Sequence, residues 1–253
     1  MISEVAVTLA ARLLGERAAE LIGYHQGQPA HPILVAARTQ VLCRSRLAED
    51  VLRRSGAVQY IVLGAGLDTF AYRSAGIRVF EVDHPGMQRW KRAALAAAGI
   101  AEPPQVRFVP ADLSAGALVP ALTAAGFDQA APAVVAWLGV SMYLDLAAIE
   151  ATLAALAGLA PGSELVLDYM LPAGHRDKAG DLYVELIAAA AAEHGEPWQT
   201  FLTPDEMTAL LTRHGFTRTE QLSQAGSIPA GLWQRTDALR PISLSMLAAA
   251  RLG

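Results

Sequence analysis

The sequence predicts an α/β protein with a doubly wound, Rossmann-like sheet, and residues 60–83 carry most of this prediction. Residues 60–63 form a short apolar run rich in β-branched side chains, which is typical of a strand buried on both faces. Gly64-Ala65-Gly66 then permits a sharp turn, and residues 67–72 can begin a helix. A second strand ends in Asp83, at the spacing from Gly66 at which nucleotide folds place a carboxylate on ribose hydroxyls. The stretch therefore predicts a nucleoside site.

The residues after the turn indicate which nucleoside binds. A dinucleotide fingerprint has a third glycine three residues after the second, and Thr69 holds that position, with Asp68 beside it. A carboxylate there repels a pyrophosphate but suits the positive sulfonium and ammonium groups of S-adenosylmethionine. One alternative is a glycine turn in an ordinary α/β protein, because a G-x-G pair alone has low specificity. A nicotinamide-dependent oxidoreductase is another alternative, and Thr69 disfavours it.

The composition fits one globular domain of 253 residues. Hydrophobic residues make up 53% of the chain and charged residues 17%, which argues against disorder. The net charge of −4 argues against a nucleic-acid partner, because such proteins usually carry a basic surface. The single cysteine, Cys43, fits a cytoplasmic protein, and we expect neither a signal peptide nor a membrane span.

Helices and strands alternate along the rest of the chain. We expect helices over residues 5–22 and 32–54, both outside the nucleotide core and packed over it. A helix from Pro85 to residue 98 should expose Lys91 and Arg92. The other predicted strands are 106–110, 134–138 and 164–169, and the other predicted helices are 118–125, 146–159, 182–193 and 205–214. Thr203 and Glu206 form a capping box for the last helix. Residues 216–222 and a strand near Trp233 should form a terminal hairpin containing the one antiparallel strand.

Two strings, LGAGLDTFAYR and VFEVDHP, occur in this order around the turn and the second strand. They resemble the signature of the leucine carboxyl methyltransferase-like family of class I S-adenosylmethionine-dependent methyltransferases, which includes bacterial polyketide O-methyltransferases. The resemblance continues more weakly through VPADL, AWLGVSMYL, PGSELVLDY, GEPW and RTDALRP. It implies a single methyltransferase domain with a seven-stranded sheet. Within that domain, a helical cap should span residues 1–55, a cofactor-binding core 56–170, a helical lid insertion 171–202, and a terminal helix and hairpin 203–253.

The resemblance also implies a set of cofactor contacts. Arg38 matches the arginine that grips the methionine carboxylate, with a surface arginine as the alternative. Asp112 stands where the family binds the adenine amino group, or it caps the next helix. Many members have a glutamate at the position of Leu138, so a main-chain carbonyl should replace that contact here. The full predicted set is Arg38, Gly64, Ala65, Gly66, Asp68, Asp83, His84, Asp112, Leu113 and Leu138.

The catalytic chemistry makes few demands on side chains. Methyl transfer from a sulfonium depends on alignment and exclusion of water, and a carboxylate acceptor needs no base, whereas a phenol or alcohol benefits from one. The candidate bases are Tyr143, Tyr169 and His175, each with a packing or surface role as the alternative. No metal is expected, because the histidines do not occur at ligand spacing.

The predicted activity is O-methylation, on a carboxylate or hydroxyl, of a small metabolite such as a polyketide, with S-adenosylmethionine as the cofactor. The apolar lid residues Leu182, Ile187, Trp198 and Phe201 suggest an aromatic acceptor, although they could equally hold the lid down. A relative that binds the nucleoside without catalysing a reaction is the remaining alternative, because Leu138 departs from the family pattern. The oligomeric state stays open.

Overall fold

A seven-stranded sheet organises the residues that the structure, a computed structural model, describes, namely 30–113, 118–193 and 195–253. The strands are β1 (Gln59–Leu63), β2 (Arg78–Asp83), β3 (Val106–Pro110), β4 (Val134–Trp137), β5 (Glu164–Met170), β6 (Phe216–Ser223) and β7 (Ser245–Leu252). Their spatial order is β3-β2-β1-β4-β5-β7-β6, and β7 runs antiparallel to both of its neighbours. The order reverses between β1 and β4, where folds of this class form a ligand crevice. The predicted doubly wound sheet is confirmed.

Helices cover both faces of this sheet. They are α1 (Pro32–Ser55), α2 (Pro85–Ala97), α3 (Leu118–Ala124), α4 (Leu146–Leu156), α5 (Lys178–Glu193) and α6 (Pro204–Arg213). Apolar residues of α1 pack against one face, and those of α3, α4 and α6 pack against the other. All five residues of β1 are buried, as expected for a central strand covered on both faces. The helix predicted over residues 5–22 lies outside the described residues.

The segment after β1 does not form the predicted α-helix. A short 3-10 helix, Phe70–Tyr72, stands there instead. The Asp68 Oδ1 atom accepts the N–H of Phe70 at 2.7 Å, and such a local side-chain bond competes with the backbone bonds of an α-helix. The crevice therefore has no long helix dipole pointing into it from this segment.

The terminal hairpin pairs β6 with β7, so the prediction of a strand near Trp233 is wrong. Residues Ala230–Trp233 form a 3-10 helix instead. The β7 strand has three consecutive alanines at residues 248–250, a composition that favours helix when it is read in isolation. In the sheet, Ala248 and Ala250 are buried between neighbouring strands, where packing decides the conformation.

Local sequence patterns predict the capping of α6 correctly but the exposure of Lys91 in α2 incorrectly. At the start of α6, the Thr203 hydroxyl accepts the N–H of Glu206 and the Glu206 carboxylate accepts the N–H of Thr203, which confirms the predicted capping box. In α2, the prediction that Lys91 is exposed is wrong, because its side chain is only 2% exposed and forms an ion pair with Glu81. The partner lies on a separate element, so the helix pattern alone could not reveal this burial.

The close approach of β1 and the end of β4 gives a first test of the fold. Gly64 has a φ of +63°, and a Cβ atom there would lie 2.3 Å from Cγ2 of Val140. We expect Gly64→Ala to lower the free energy of unfolding by about 2 to 4 kcal/mol, through strain at positive φ and overpacking. Urea unfolding measures this loss.

Two further variants separate the two causes. Gly56 has a similar φ of +67° but nothing within 4 Å of an added Cβ, so Gly56→Ala should show the backbone part alone. Adding Val140→Ala to Gly64→Ala should recover the overpacking part. Equal losses at Gly56 and Gly64 would contradict the close contact with Val140.

Candidate cofactor and acceptor site

The candidate site is the crevice at the carboxyl ends of β1, β2 and β4. Gly64 and Gly66 both adopt positive φ, +63° and +43°, which turns the chain sharply after β1. The N–H of Ala65 donates to the carbonyl of Val82 at 3.1 Å, so the turn stays attached to β2. The predicted residues 64–66 therefore lie at the point where the strand order reverses, which is where ligands bind in open α/β sheets.

Asp83 lies at the end of β2 and holds the turn directly. Its Oδ2 atom accepts the N–H of Gly66 at 2.7 Å, and its Oδ1 atom accepts the N–H of His84 at 2.7 Å. The side chain of His84 is exposed and its Nδ1 atom caps α2 by accepting the N–H of Gly86. Each carboxylate oxygen can accept more than one hydrogen bond, and Asp83 is only partly buried. Asp83 can therefore hold the turn and accept hydroxyl groups of a ligand together.

Asp68 is in the turn, as predicted, but it is partly buried and part of its carboxylate serves the chain itself. Its Oδ1 atom accepts the N–H of Phe70, and burial raises the pKa of the carboxyl group. Its main-chain carbonyl accepts a hydrogen bond from the Lys91 ammonium at 2.9 Å. Asp68 thus shapes the turn through three different groups, since its N–H also donates to the Ala65 carbonyl.

Two arginines of α1 are candidates for a carboxylate ligand. They are six positions apart, so they leave the helix in directions about 120° apart. The predicted residue, Arg38, is partly buried, and its Nε atom donates to the carbonyl of Leu34 within the same helix. Arg44 reaches the carboxyl end of β4, because a Cβ atom at Gly139 would lie 2.5 Å from its Nη2 atom. The structure therefore adds Arg44, which the sequence did not single out.

Asp168 of β5 fixes the guanidinium of Arg44. The Arg44 Nη1 atom lies 3.2 Å from Asp168 Oδ2, and the Asp168 side chain is only 1% exposed. Asp168 also accepts the N–H of Gly139 through Oδ1, while its main-chain carbonyl accepts the Ser141 hydroxyl. The sequence signal for this cluster was Gly139, two residues after the end of β4, a position where a side chain would exclude Arg44.

The remaining predicted cofactor residues lie along the same edge. Ala111, directly after β3, donates its N–H to the Asp83 carbonyl, and the exposed Asp112 follows it. Leu113 packs partly against the core, and Leu138 does so on the α1 side of the sheet. Residues 114–117 lie outside the described part of the chain, so the alternative role of Asp112 as a helix cap stays open.

Aromatic side chains form a wall beside the ends of β4 and β5. The centroid of the Trp198 ring lies 6.4 Å from the ring centroid of Tyr183, 6.5 Å from that of Tyr143 and 6.3 Å from that of Phe201. These residues come from α5, from the 3-10 helix Ser141–Tyr143 and from the segment after α5. Ile187 packs against the same cluster, whereas Leu182 is exposed. Three of the four predicted apolar lid residues therefore lie together.

Hydrogen bonds to main-chain carbonyls hold the segment after α5 against the residues that follow β4. The N–H of Gln199 donates to the Met142 carbonyl at 2.7 Å, and the Gln199 amide donates to the Tyr143 carbonyl at 2.6 Å. The Thr200 hydroxyl donates to the carbonyl of Leu144 at 2.5 Å. The aromatic wall is thus attached to the strand end that carries Gly139.

The three candidate bases do not lie together. Tyr143 is partly buried within the aromatic wall. Tyr169 is 2% exposed on the opposite face of the sheet, where its hydroxyl donates to Gln221 Oε1 at 2.7 Å and burial raises its pKa. His175 is exposed in the turn after β5. Of the three, Tyr143 is therefore the one that the structure brings to the aromatic wall.

Other chemistry finds little support among the described residues. No group of three or more His, Cys, Asp or Glu side chains there could hold a metal ion, and no helix there is long and apolar enough to cross a membrane. Cys43 is buried, and burial raises the pKa of its thiol, which makes it a poor nucleophile.

A cavity of about 680 Å³ adjoins the turn. Its described walls come from α1, from residues 67–69 with Arg73, and from residues 228–239. Its volume is that of a small-molecule pocket. Gly66, Asp83 and Arg44 are not among its described lining residues, so it is a neighbour of the crevice and not the crevice itself.

Comparison with known proteins places these features in a family. Residues 5–157, more than half of the chain, match the sequence model described as leucine carboxyl methyltransferase. A Bacillus subtilis protein, YktD, is 34% identical over 190 residues, which cover 72% of this chain and 62% of that protein. A Mycobacterium tuberculosis protein is 34% identical over 213 residues, with 76% and 68% covered. Both are named as candidate S-adenosyl-L-methionine-dependent methyltransferases. The chain spans about two thirds of the length of these curated relatives.

Solved structures show the same fold at low sequence identity. A DUF574 family protein of Streptomyces avermitilis superposes with a TM-score of 0.66 at 17% identity, covering 98% of this chain and 97% of that one. A candidate methyltransferase of Thermobifida fusca gives 0.65 at 20% identity, with 97% and 94% covered. Because the family match spans the glycine turn, Asp83 and the end of β4, the chain belongs to the leucine carboxyl methyltransferase family.

Proposed function

We propose that this protein transfers the methyl group of S-adenosylmethionine to an oxygen atom, carboxylate or hydroxyl, of a small apolar metabolite such as a polyketide. The observation that carries the proposal is the Asp83 carboxylate, held against the Gly66 N–H at the point where the strand order reverses. Membership of the leucine carboxyl methyltransferase family supports S-adenosylmethionine as the cofactor, and the names of the relatives include this cofactor.

The crevice offers complementary groups to both ends of the cofactor. Asp83 suits the ribose hydroxyls, and Asp112 lies on the same edge for the adenine. A guanidinium from α1, either Arg44 or the predicted Arg38, suits the methionine carboxylate, because it forms bidentate bonds with that group. Arg44 is favoured by its position over Gly139, beside the strand end that the ligand must approach.

The aromatic wall supports a planar or apolar acceptor. In the proposed reaction, a lone pair of the acceptor oxygen forms the new bond to the methyl carbon while the methyl–sulfur bond breaks, and S-adenosylhomocysteine leaves. The rate then depends on alignment and on exclusion of water, which Trp198 and Phe201 can provide. A carboxylate acceptor needs no base, whereas a phenol must lose its proton, and Tyr143, the candidate base in the aromatic wall, can accept that proton only as the phenolate.

The deciding experiment is a turnover assay with methyl-labelled S-adenosylmethionine and matched acceptors. An aryl carboxylic acid, the corresponding phenol and the corresponding aryl amine test the three nucleophiles. Label that is released by mild base identifies a methyl ester, and label that resists base identifies an ether. Methylation of the amine alone would contradict the oxygen acceptor.

The same assay, together with binding measurements, separates the two alternative functions. Tight binding of S-adenosylhomocysteine without turnover in a metabolite extract would indicate a relative that binds the nucleoside without catalysing a reaction. Binding of NADH instead of S-adenosylhomocysteine would indicate an oxidoreductase.

Asp83→Asn tests the ribose contact. The amide keeps the size of the side chain but loses the charge, and one charge-assisted hydrogen bond contributes about 1.5 to 3 kcal/mol. We expect the Kd for S-adenosylhomocysteine and that for methylthioadenosine, which share the ribose, to rise together by at least about tenfold. Titration calorimetry measures both constants. Asp128→Asn, an exposed carboxylate at the opposite ends of the strands, should leave both unchanged. Unchanged binding in Asp83→Asn would mean that the ribose is held elsewhere.

Arg44→Met and Arg38→Met test which guanidinium binds the methionine carboxylate. S-adenosylhomocysteine carries this carboxylate and methylthioadenosine lacks it, so the ratio of their dissociation constants is independent of damage to the fold. We expect Arg44→Met to raise the Kd for S-adenosylhomocysteine by about tenfold or more, as when one partner of a desolvated charge pair is removed. The Kd for methylthioadenosine should not change. The same ratio measured in Arg38→Met tests the residue predicted from sequence. Equal losses for both ligands in Arg44→Met would place its effect in the fold.

A further inference from the structure

Lys91 is a buried cation that belongs to none of the cofactor contacts above. Its Nζ atom donates to Glu81 Oε2 at 2.6 Å, and the two side chains are 2% and 1% exposed. Burial raises the pKa of Glu81 to about 7, although the neighbouring ammonium opposes the rise. Burying two charges is unfavourable, and apolar side chains of similar size are often as stable or more so. The stability of the fold alone therefore does not explain a lysine here.

The ammonium makes a second bond, to the glycine turn. Lys91 Nζ donates to the main-chain carbonyl of Asp68 at 2.9 Å, and Asp68 lies two residues after Gly66. The Lys91 Nζ atom also lies 5.8 Å from the centre of the Tyr72 ring, within the range of a cation–π contact. One ammonium group thus joins α2, β2 and the segment that closes the turn.

We propose that Lys91 is a positioning residue that keeps the glycine turn in the shape that binds the cofactor, an inference that rests on the cofactor site proposed above. Asp83 holds the turn through the N–H of Gly66, and Lys91 holds it through the carbonyl of Asp68. A turn fixed at both points does not have to be ordered when the ligand arrives, so less binding free energy is lost. Glu81 keeps the ammonium oriented towards the turn.

Three variants of the whole chain separate positioning from stability. Lys91→Met leaves the Glu81 carboxyl group buried without its partner, and Glu81→Leu leaves the ammonium without its counter-ion. The double variant Lys91→Met/Glu81→Leu removes both charges and should recover most of the stability that each single variant loses. It does not restore the bond to the Asp68 carbonyl. Urea unfolding measures stability, and titration calorimetry measures the Kd for S-adenosylhomocysteine.

The double variant should unfold close to wild type yet bind S-adenosylhomocysteine at least about tenfold more weakly, as for one lost charge-assisted hydrogen bond. Hydrogen exchange at the amides of Gly66 and Asp68 should accelerate, while exchange in β5 should not change. Leu211→Ala is the matched control, because Leu211 is buried in α6 on the opposite face of the sheet. It should lower stability without changing the Kd.

Wild-type affinity in the double variant, or unchanged exchange in its turn, would overturn the positioning role. A double variant that remains unstable is compared with Leu211→Ala at equal folded fraction, where equal affinities overturn the role and a tenfold difference supports it. Failure of the wild-type protein to bind S-adenosylhomocysteine would instead refute the proposed function. The exchange measurement would still decide whether Lys91 holds the turn.

Discussion

The Asp83 carboxylate accepts the N–H groups of Gly66 and His84, and the shape of the candidate site depends on these two hydrogen bonds. They join the turn after β1 to the junction of β2 and α2, which lies 17 residues later in the chain. The turn is formed by glycines at positive φ, and glycine has more accessible backbone conformations than any other residue. The segment by itself therefore does little to fix one shape. A charged acceptor with fixed geometry removes that freedom, and the same partly exposed carboxylate is the proposed partner of the ribose.

Two ion pairs, each with a carboxylate that is only 1% exposed, support the crevice from either side of β1. On the β2 side, Lys91 is paired with Glu81 and donates to the carbonyl of Asp68, and on the β4 side, Arg44 and Asp168 lie against Gly139. In both pairs one partner also bonds to the main chain of a loop at the carboxyl edge. In these two pairs the charges therefore serve to orient loops at the edge of the sheet, a use that offsets the unfavourable desolvation of the charges.

The proposed acceptor side of the crevice has a different chemical character. Tyr143, Tyr183, Trp198 and Phe201 meet there from three segments of the chain, and hydrogen bonds from Gln199 hold two of these segments together. This character fits a methyl transfer, which needs an ordered, water-poor surface more than it needs acids and bases. Tyr169 takes no part in this surface, because consecutive residues of a strand point to opposite faces and its neighbour Asp168 occupies the face towards α1.

The sequence by itself determined the strands that flank the glycine turn, the turn and the placement of Asp83, because apolar runs, glycines and strand ends act over a few neighbouring residues. It also determined the capping box of α6 for the same local reason. Only the tertiary structure decided that Lys91 is buried, that Arg44 reaches the end of β4, and that the alanine-rich residues 245–252 form a strand. In each of these cases the partner lies on another element, so helix periodicity and propensity hold no information about the contact that determines the outcome.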